Sequence, residues 1–214
     1  MANPLSLPTE PDWVPLLREV AAIAETGLAF ASDVYDRERY TRLRDLAAGL
    51  IAVPTQTAPE LIAELLRDEP GYATPKIDVR AGIIVDGRVL LVREATDGMW
   101  SLPGGFAEIN LSPAEAVEAE IEQETGFTAR ATKLVALYDR RRHHPAHPRL
   151  LHCYKAFFLA EITGGAARPS IETTAVEFFP EAALPPLSTG RVTAALIGQI
   201  YRHWREPGLA TAFD

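Results

Sequence analysis

Residues 105–127 read GFAEINLSPAEAVEAEIEQETGF. Three consecutive cues start a helix inside this stretch: Ser112 can cap it, Pro113 suits its first position, and Glu115 completes a capping box. Gly126 stops the helix after Thr125. The helix carries Glu115, Glu118, Glu120, Glu122 and Glu124. Helical spacing puts Glu120 and Glu124 on one face with Gln123 beside them, and Glu115, Glu118 and Glu122 on another. Like charges four residues apart repel by roughly a few tenths of a kcal/mol. A divalent cation would remove that cost, because Mg²⁺ prefers oxygen ligands and often uses one or two carboxylates together with substrate phosphates. A solvated acidic surface is the other meaning of the same pattern.

The flanking sequence is extended. Ile77, Val79, Ile83, Ile84 and Val85 precede Asp86-Gly87, and Val89 to Val92 follow it, which predicts a hairpin. Trp100-Ser101-Leu102 predicts a short strand leading into Pro103-Gly104-Gly105. Residues 127–138, 150–162 and 174–179 also read as strands, with Gly164-Gly165 as a turn. A closing helix is expected from Ser188 to about Arg205. Strands interrupted by one helix and followed by another suggest an α/β fold, a mixed sheet with helices on both faces.

Before these strands, after a proline-rich, polar arm over residues 1–12, the sequence has helical periodicity instead. Trp13, Leu16, Leu17, Val20, Ile23 and Ala24 form one apolar face, and Gly27 is the expected stop. Asp33 caps a second helix with Leu43, Leu46, Ala47, Leu50 and Ile51 on its apolar face and Pro54 at its end. Leu61, Ile62, Leu65 and Leu66 predict a third, ended near Pro70-Gly71. The expected organisation is a helical domain over 1–72 and an α/β domain over 73–214. So few helical residues make a thin core, so they should pack on the rest of the chain or on a second copy.

The chain of 214 residues carries 21 Lys and Arg against 29 Asp and Glu, a net charge of −8. That excess argues against a general nucleic-acid binder, which needs a basic surface to displace phosphate counterions. A single cysteine, Cys153, excludes an intrachain disulfide and reads as a buried, inert thiol. No apolar run approaches the ~20 residues of a membrane span. Nor does a basic region followed by an apolar run open the sequence, so a cytoplasmic protein is expected.

The stretch from Gly105 to Phe127 resembles the signature of the Nudix hydrolases: Gly, five residues, Glu, seven residues, then Arg-Glu-apolar-any-Glu-Glu-any-Gly-apolar. Gly105, Glu120, Ile121, Glu124, Gly126 and Phe127 match it, and Leu102-Pro103-Gly104-Gly105 looks like the loop that precedes it. Tyr35 to Tyr40, Pro75 to Arg80, Leu91 to Glu94, Ala136 to Arg140 and Tyr154 to Phe158 resemble one subgroup, the CDP-choline and ADP-ribose pyrophosphatases with an N-terminal helical extension. The likeness covers about residues 13–200. It implies an α/β/α Nudix sandwich with a mixed sheet behind a small helical domain that mediates homodimerisation. It also implies hydrolysis of the pyrophosphate in a nucleoside diphosphate derivative, with Mg²⁺ or Mn²⁺ as cofactor. By the same carry-over Glu120 and Glu124 are the catalytic metal ligands, with Gly105 as a carbonyl ligand and Gln123 as an uncharged member of the metal site, and Glu172 is a catalytic carboxylate from a later loop. Arg80, Arg93, Phe106 and Arg140 are the substrate-binding candidates. The two strand arginines should face solvent or a pocket, and Arg140 opens a basic loop through Arg149 suited to phosphate.

Three positions depart from the pattern. Leu111 stands where Glu is expected, Ala119 where Arg is expected, and Gln123 where the first Glu of the pair is expected. Leu111 and Ala119 together remove an ion pair, and a joint loss leaves no unpaired buried charge. Gln123 can still ligate through its amide oxygen but brings no charge. The alternative is therefore a weak or inactive nucleotide-binding module that keeps the pocket without the chemistry.

Overall fold

A computed structural model describes residues 13–55, 58–67, 72–143 and 152–214. The chain divides into two compact units, residues 1–75 with 145–152 and residues 76–144 with 153–214. Among the described residues no helix is long and apolar enough to cross a membrane.

The first unit is built from α1 (Trp13–Phe30), α2 (Val34–Thr55) and α3 (Pro59–Arg67). Asp33 caps α2 as expected, its Oδ1 accepting from the Tyr35 and Asp36 amides at 2.9 and 3.1 Å. Three expectations are corrected. Gly27 does not stop α1, which runs on to Phe30; a Cβ there would lie 2.5 Å from the Tyr40 ring, so this glycine serves the close approach of α2. Pro54 does not end α2, which includes it and closes at Thr55. The buried faces are also narrower than the apolar periodicity suggests. Ala21 and Ala24 of α1 and Ala47, Ala48, Ile51 and Ala52 of α2 are buried, while Trp13, Leu16, Ile23, Leu43, Leu46 and Leu50 are exposed. Small side chains let the helices approach, and of the larger apolar ones on these two helices Val14 and Ile51 are buried while those six are left outside. The expected end of the third helix at Pro70-Gly71 lies outside the described residues.

The second unit holds two sheets. The first is mixed, in the order β1-β6-β5-β8: β1 (Lys76–Gly82) runs parallel to β6 (Cys153–Gly165). β5 (Phe127–Asp139) runs antiparallel to β6, and β8 (Ala212–Phe213) is parallel to β5. The second is antiparallel: β3 (Arg88–Glu94) pairs with β2 (Ile84–Val85), β4 (Trp100–Ser101) and β7 (Thr173–Pro180). The hairpin between β2 and β3 turns at Asp86 and Gly87, both at positive φ, 50° and 70°. That is the geometry an Asp-Gly pair favours.

Strand alternation decides which helix each side chain meets. Leu90, Ala156, Phe158 and Ala160 pack with Ala116, Val117 and Ile121 of α4 (Pro113–Thr125). Val89, Leu91 and Phe157 pack with Leu196, Ile197, Ile200 and Tyr201 of α6 (Ala194–Arg205). Neighbours in one strand serve opposite cores, so both faces are covered by helices. The capping box of α4 forms as predicted: Ser112 Oγ accepts from the Glu115 amide and Glu115 Oε2 accepts from the Ser112 amide at 2.8 Å. Cys153 is buried, and burial pushes its thiol up to about 11.

Two boundaries differ from expectation. Gly164 and Gly165 do not form a turn but finish β6, paired with Thr128 and Phe127. The last helix begins at Ala194 rather than Ser188, capped by Thr193. The Ser188 hydroxyl is committed elsewhere, donating to Asp97 Oδ2 at 2.7 Å.

The α4 contacts predict a graded series. Ser112→Ala removes a cap and should cost about 1 kcal/mol. Ile121→Ala, at a fully buried position, should cost about 2–5 kcal/mol. Urea denaturation of the two variants checks the order, and equal losses would contradict the packing described.

Candidate active site

The C-terminal half of α4 faces the loop that follows β4. Glu124 is buried, and its Oε2 accepts a hydrogen bond from the Gly104 amide at 2.8 Å. Gly104 sits at φ +140°, and a Cβ there would lie 2.0 Å from the Val79 carbonyl oxygen, so only glycine fits. At Gly105 a Cβ would lie 2.6 Å from Glu120 Oε1, so the loop backbone rests against that carboxylate. The loop is laid along β1: the Ala81 amide donates to Pro103 O at 2.9 Å and the Val79 amide to Gly105 O at 2.8 Å. The Ala107 amide then donates to Ile77 O at 2.9 Å, and Phe106 bridges to Asp78 with its side chain half exposed.

Burial pushes the Glu120 carboxyl up to about 7; Arg80 opposes that, while Glu172, Asp78 and Glu108 add to it. Burial likewise pushes Glu124 up to about 8, with Arg80 and the Gly104 amide opposing and Glu94 and Glu120 reinforcing. The fold therefore brings Glu124 and the exposed Glu172 each within electrostatic reach of Glu120. Among the described residues no three His, Cys, Asp or Glu side chains form a ready-made metal cage. Two repelling, partly desolvated carboxylates against the glycine loop do fit a hard cation that draws its remaining ligands from water and phosphate. The Gly105 carbonyl, already bonded to the Val79 amide, keeps one lone pair for that purpose. Gln123 lies exposed on the adjoining face, Ala119 is half-buried and Leu111 is exposed, so the Leu111 position is not a buried one.

The expected placements of two arginines are corrected. Arg80 does not face solvent or an open pocket. It is buried, with Nε and Nη2 donating to the two Asp78 carboxylate oxygens at 2.9 and 3.1 Å and Nη1 donating to Leu102 O at 3.1 Å. Arg140 is not displayed on a loop either. β5 continues through Asp139, and Arg140 is buried at the start of α5 (Arg140–His143). In that turn Arg141 pairs with Asp139 at 2.8 Å and His143 with Asp214 at 2.9 Å. The remainder of the basic loop, through Arg149, lies outside the described residues. Arg93 is exposed, its Nε donating to Gly98 O at 2.8 Å.

The charged residues behind the site were not singled out from the sequence. Asp78 and Lys155 are register partners on β1 and β6, and Lys155 Nζ donates to Asp78 Oδ1 at 3.2 Å. Burial works against the Asp78 charge, but Arg80 and Lys155 outweigh it and hold the carboxyl down at about 2. Opposite charges inside two apolar strands, Ile77-Asp78-Val79 and Tyr154-Lys155-Ala156, were the available signal.

Two family models match the chain: a UDP-X-like, N-terminal oligomerisation domain over residues 11–66 and a NUDIX domain over residues 76–196. The Bacillus subtilis (strain 168) protein YjhB, named provisionally as an ADP-ribose pyrophosphatase, is 44% identical over 203 residues, spanning 94% of this chain and 97% of the relative. A crystal structure of a UDP-X diphosphatase is 35% identical with a TM-score of 0.62, covering 95% of this chain and 98% of the other. That of an ADP-ribose pyrophosphatase from Streptococcus suis is 36% identical with a TM-score of 0.61, covering 66% and 100%.

The Asp78 pairing generates a stability prediction. Asp78→Asn leaves Arg80 and Lys155 buried without their anion and should cost about 3–5 kcal/mol in urea denaturation. Because folding lowers this carboxyl to about 2, its contribution is present above its ordinary range near ~4 and is lost as pH falls through the folded value. The acid limb of stability between those two values should flatten in the variant; an unchanged limb would assign it to other groups.

Proposed function

The chain belongs to the Nudix family of hydrolases, and on that premise we propose that it cleaves the pyrophosphate of a nucleoside diphosphate joined to a second group, such as ADP-ribose, a UDP-sugar or CDP-choline. The observation that carries this reading is the Glu120 and Glu124 pair, held against the Gly104-Gly105 loop on the buried face of α4. Bound Mg²⁺ or Mn²⁺ supplies charge neutralisation for the diphosphate and an activated water. In this reading Glu120 and Glu124 hold the cation, with the Gly105 carbonyl as a further donor. The Gly104 amide occupies Glu124 Oε2 and so fixes the orientation of that carboxylate. Glu172, exposed and acting electrostatically on Glu120, is the candidate acceptor for the proton of the attacking water. The water oxygen joins one phosphorus and the bridging oxygen leaves on the other, giving a nucleoside monophosphate and a phosphorylated remainder. Arg93, exposed on β3, and Phe106, exposed in the glycine loop, are candidates to contact the groups flanking the diphosphate.

Gln123 lowers the negative charge of the site by one relative to the family pattern, which favours weaker cation binding. The helical unit is read as the contact between two copies, since Leu16, Ile23, Leu46 and Leu50 are exposed apolar residues on it.

Turnover of a panel of ADP-ribose, UDP-sugars, CDP-choline and nucleoside triphosphates with Mg²⁺ or Mn²⁺ tests the reading; nucleotide affinity without turnover of any member would instead make the chain a binding module. Glu124→Gln should lower kcat by about 10²–10³-fold, the scale of losing one charge-stabilising group, and unchanged turnover would refute the assigned site. Gln123→Glu should tighten Mn²⁺ binding in a titration. Leu46→Glu with Leu50→Glu should shift the sedimenting species from dimer to monomer, and a wild-type monomer would rule out the dimer.

A further inference from the structure

Behind the carboxylates five charged residues close into a ring. Arg191 Nε lies 3.1 Å from Glu94 Oε1, and the same oxygen lies 4.0 Å from Arg80 Nη1. Arg80 Nε lies 2.9 Å from Asp78 Oδ1, which is 3.2 Å from Lys155 Nζ. Lys155 Nζ returns to the Arg191 carbonyl oxygen at 2.8 Å. Glu94, Arg80, Asp78 and Lys155 are all buried. Glu94 Oε1 has no hydrogen bond among the described residues, so its charge is met by the two guanidiniums alone. Arg191 also straps two loops together, through Asp97 Oδ2 at 3.1 Å, Thr96 Oγ1 at 3.0 Å and Ser188 Oγ at 2.9 Å. Its own segment is bonded to β4, since the Ser188 amide donates to Trp100 O at 2.8 Å and the Trp100 amide to Pro186 O at 3.0 Å.

We propose that Arg191 is a positioning residue for the hydrolysis: by meeting the charge of Glu94 it leaves Arg80 committed to Asp78 and the Leu102 carbonyl, and so fixes the loop whose Gly104 amide orients Glu124. Without Arg191, Glu94 keeps Arg80 as its one cation. The guanidinium is then drawn off Leu102 O, and the start of the glycine loop loses its charged tie to β1, keeping the Ser101 hydroxyl on Leu102 O and the backbone bonds to β1. Arg191 lies outside the motif helix and acts through two residues. The inference rests on the hydrolase reading for its kinetic consequence, but its structural consequence is readable without substrate.

The test compares the full-length wild type with Arg191→Gln and with the double variant Arg191→Gln, Glu94→Gln. Amide exchange of Leu102, Gly104 and Gly105 is followed by NMR in the absence of substrate and metal. Arg191→Gln should exchange at Gly104 and Gly105 about tenfold faster or more while Ile121 keeps its wild-type rate, the pattern of local opening. At saturating metal its kcat should fall about 10–100-fold, as expected for a small misplacement of a reacting group. KM should stay within about threefold. The double variant removes the charge that pulls Arg80, so it should recover most of both effects. It also leaves no uncompensated carboxylate, so it serves where the single variant does not fold, with Gly104 exchange within about threefold of wild type. Wild-type exchange and kcat in Arg191→Gln, or a double variant as impaired as the single one, would overturn the proposal. Absence of turnover by the wild type would overturn the hydrolase reading instead, leaving the exchange data to decide the role of Arg191.

Discussion

Asp78 lets two cations lie inside one strand pair. Its carboxylate meets Arg80 from its own strand and Lys155 from its register partner on β6. Burying either cation alone would carry a desolvation cost of several kcal/mol. Shared between them, the anion makes the interior of the mixed sheet a place where charge is tolerated. The consequence for chemistry is that a guanidinium can stand behind Glu120 and Glu124, opposing the burial that pushes both carboxyls upward.

That arrangement bears on the departures from the Nudix pattern. Ala119 leaves α4 without the arginine that the pattern places next to Glu120. The cation that faces the two glutamates here comes instead from β1, well before the motif helix in the chain, and reaches the glycine loop through Leu102 O. Leu111 is exposed, so its apolar side chain costs the interior nothing. Gln123 is exposed too, on the face adjoining the buried pair. The geometry that holds Glu124, one amide from Gly104, involves none of the three departing residues.

Features read correctly from the sequence are those whose cause is local. The capping box of α4 needs only Ser112 and Glu115 three residues apart, and the hairpin needs only a residue pair that tolerates positive φ at Asp86 and Gly87. Features misread depend on a neighbour. Periodicity marks Leu16, Ile23, Leu46 and Leu50 as apolar, but the buried positions of these helices are mostly alanines, with Val14 and Ile51. Gly27 looks like a terminator until the Tyr40 ring is placed against it. Ser188 looks like the start of the last helix until Asp97 claims its hydroxyl.

The sequence by itself determined the acidic helix with Glu120 and Glu124 on one face, its caps, the glycine loop before it and the family to which the spacing belongs, because each follows from residues within a few turns of one another. Only the tertiary structure decided that Arg80 and Arg140 are buried, that Asp78 and Lys155 are partners, and that Arg191 closes a ring behind the site. Those pairings join β1, β3, β6 and the segment before α6, and Coulomb attraction in a buried setting depends on distance in space, which a linear order of residues does not contain.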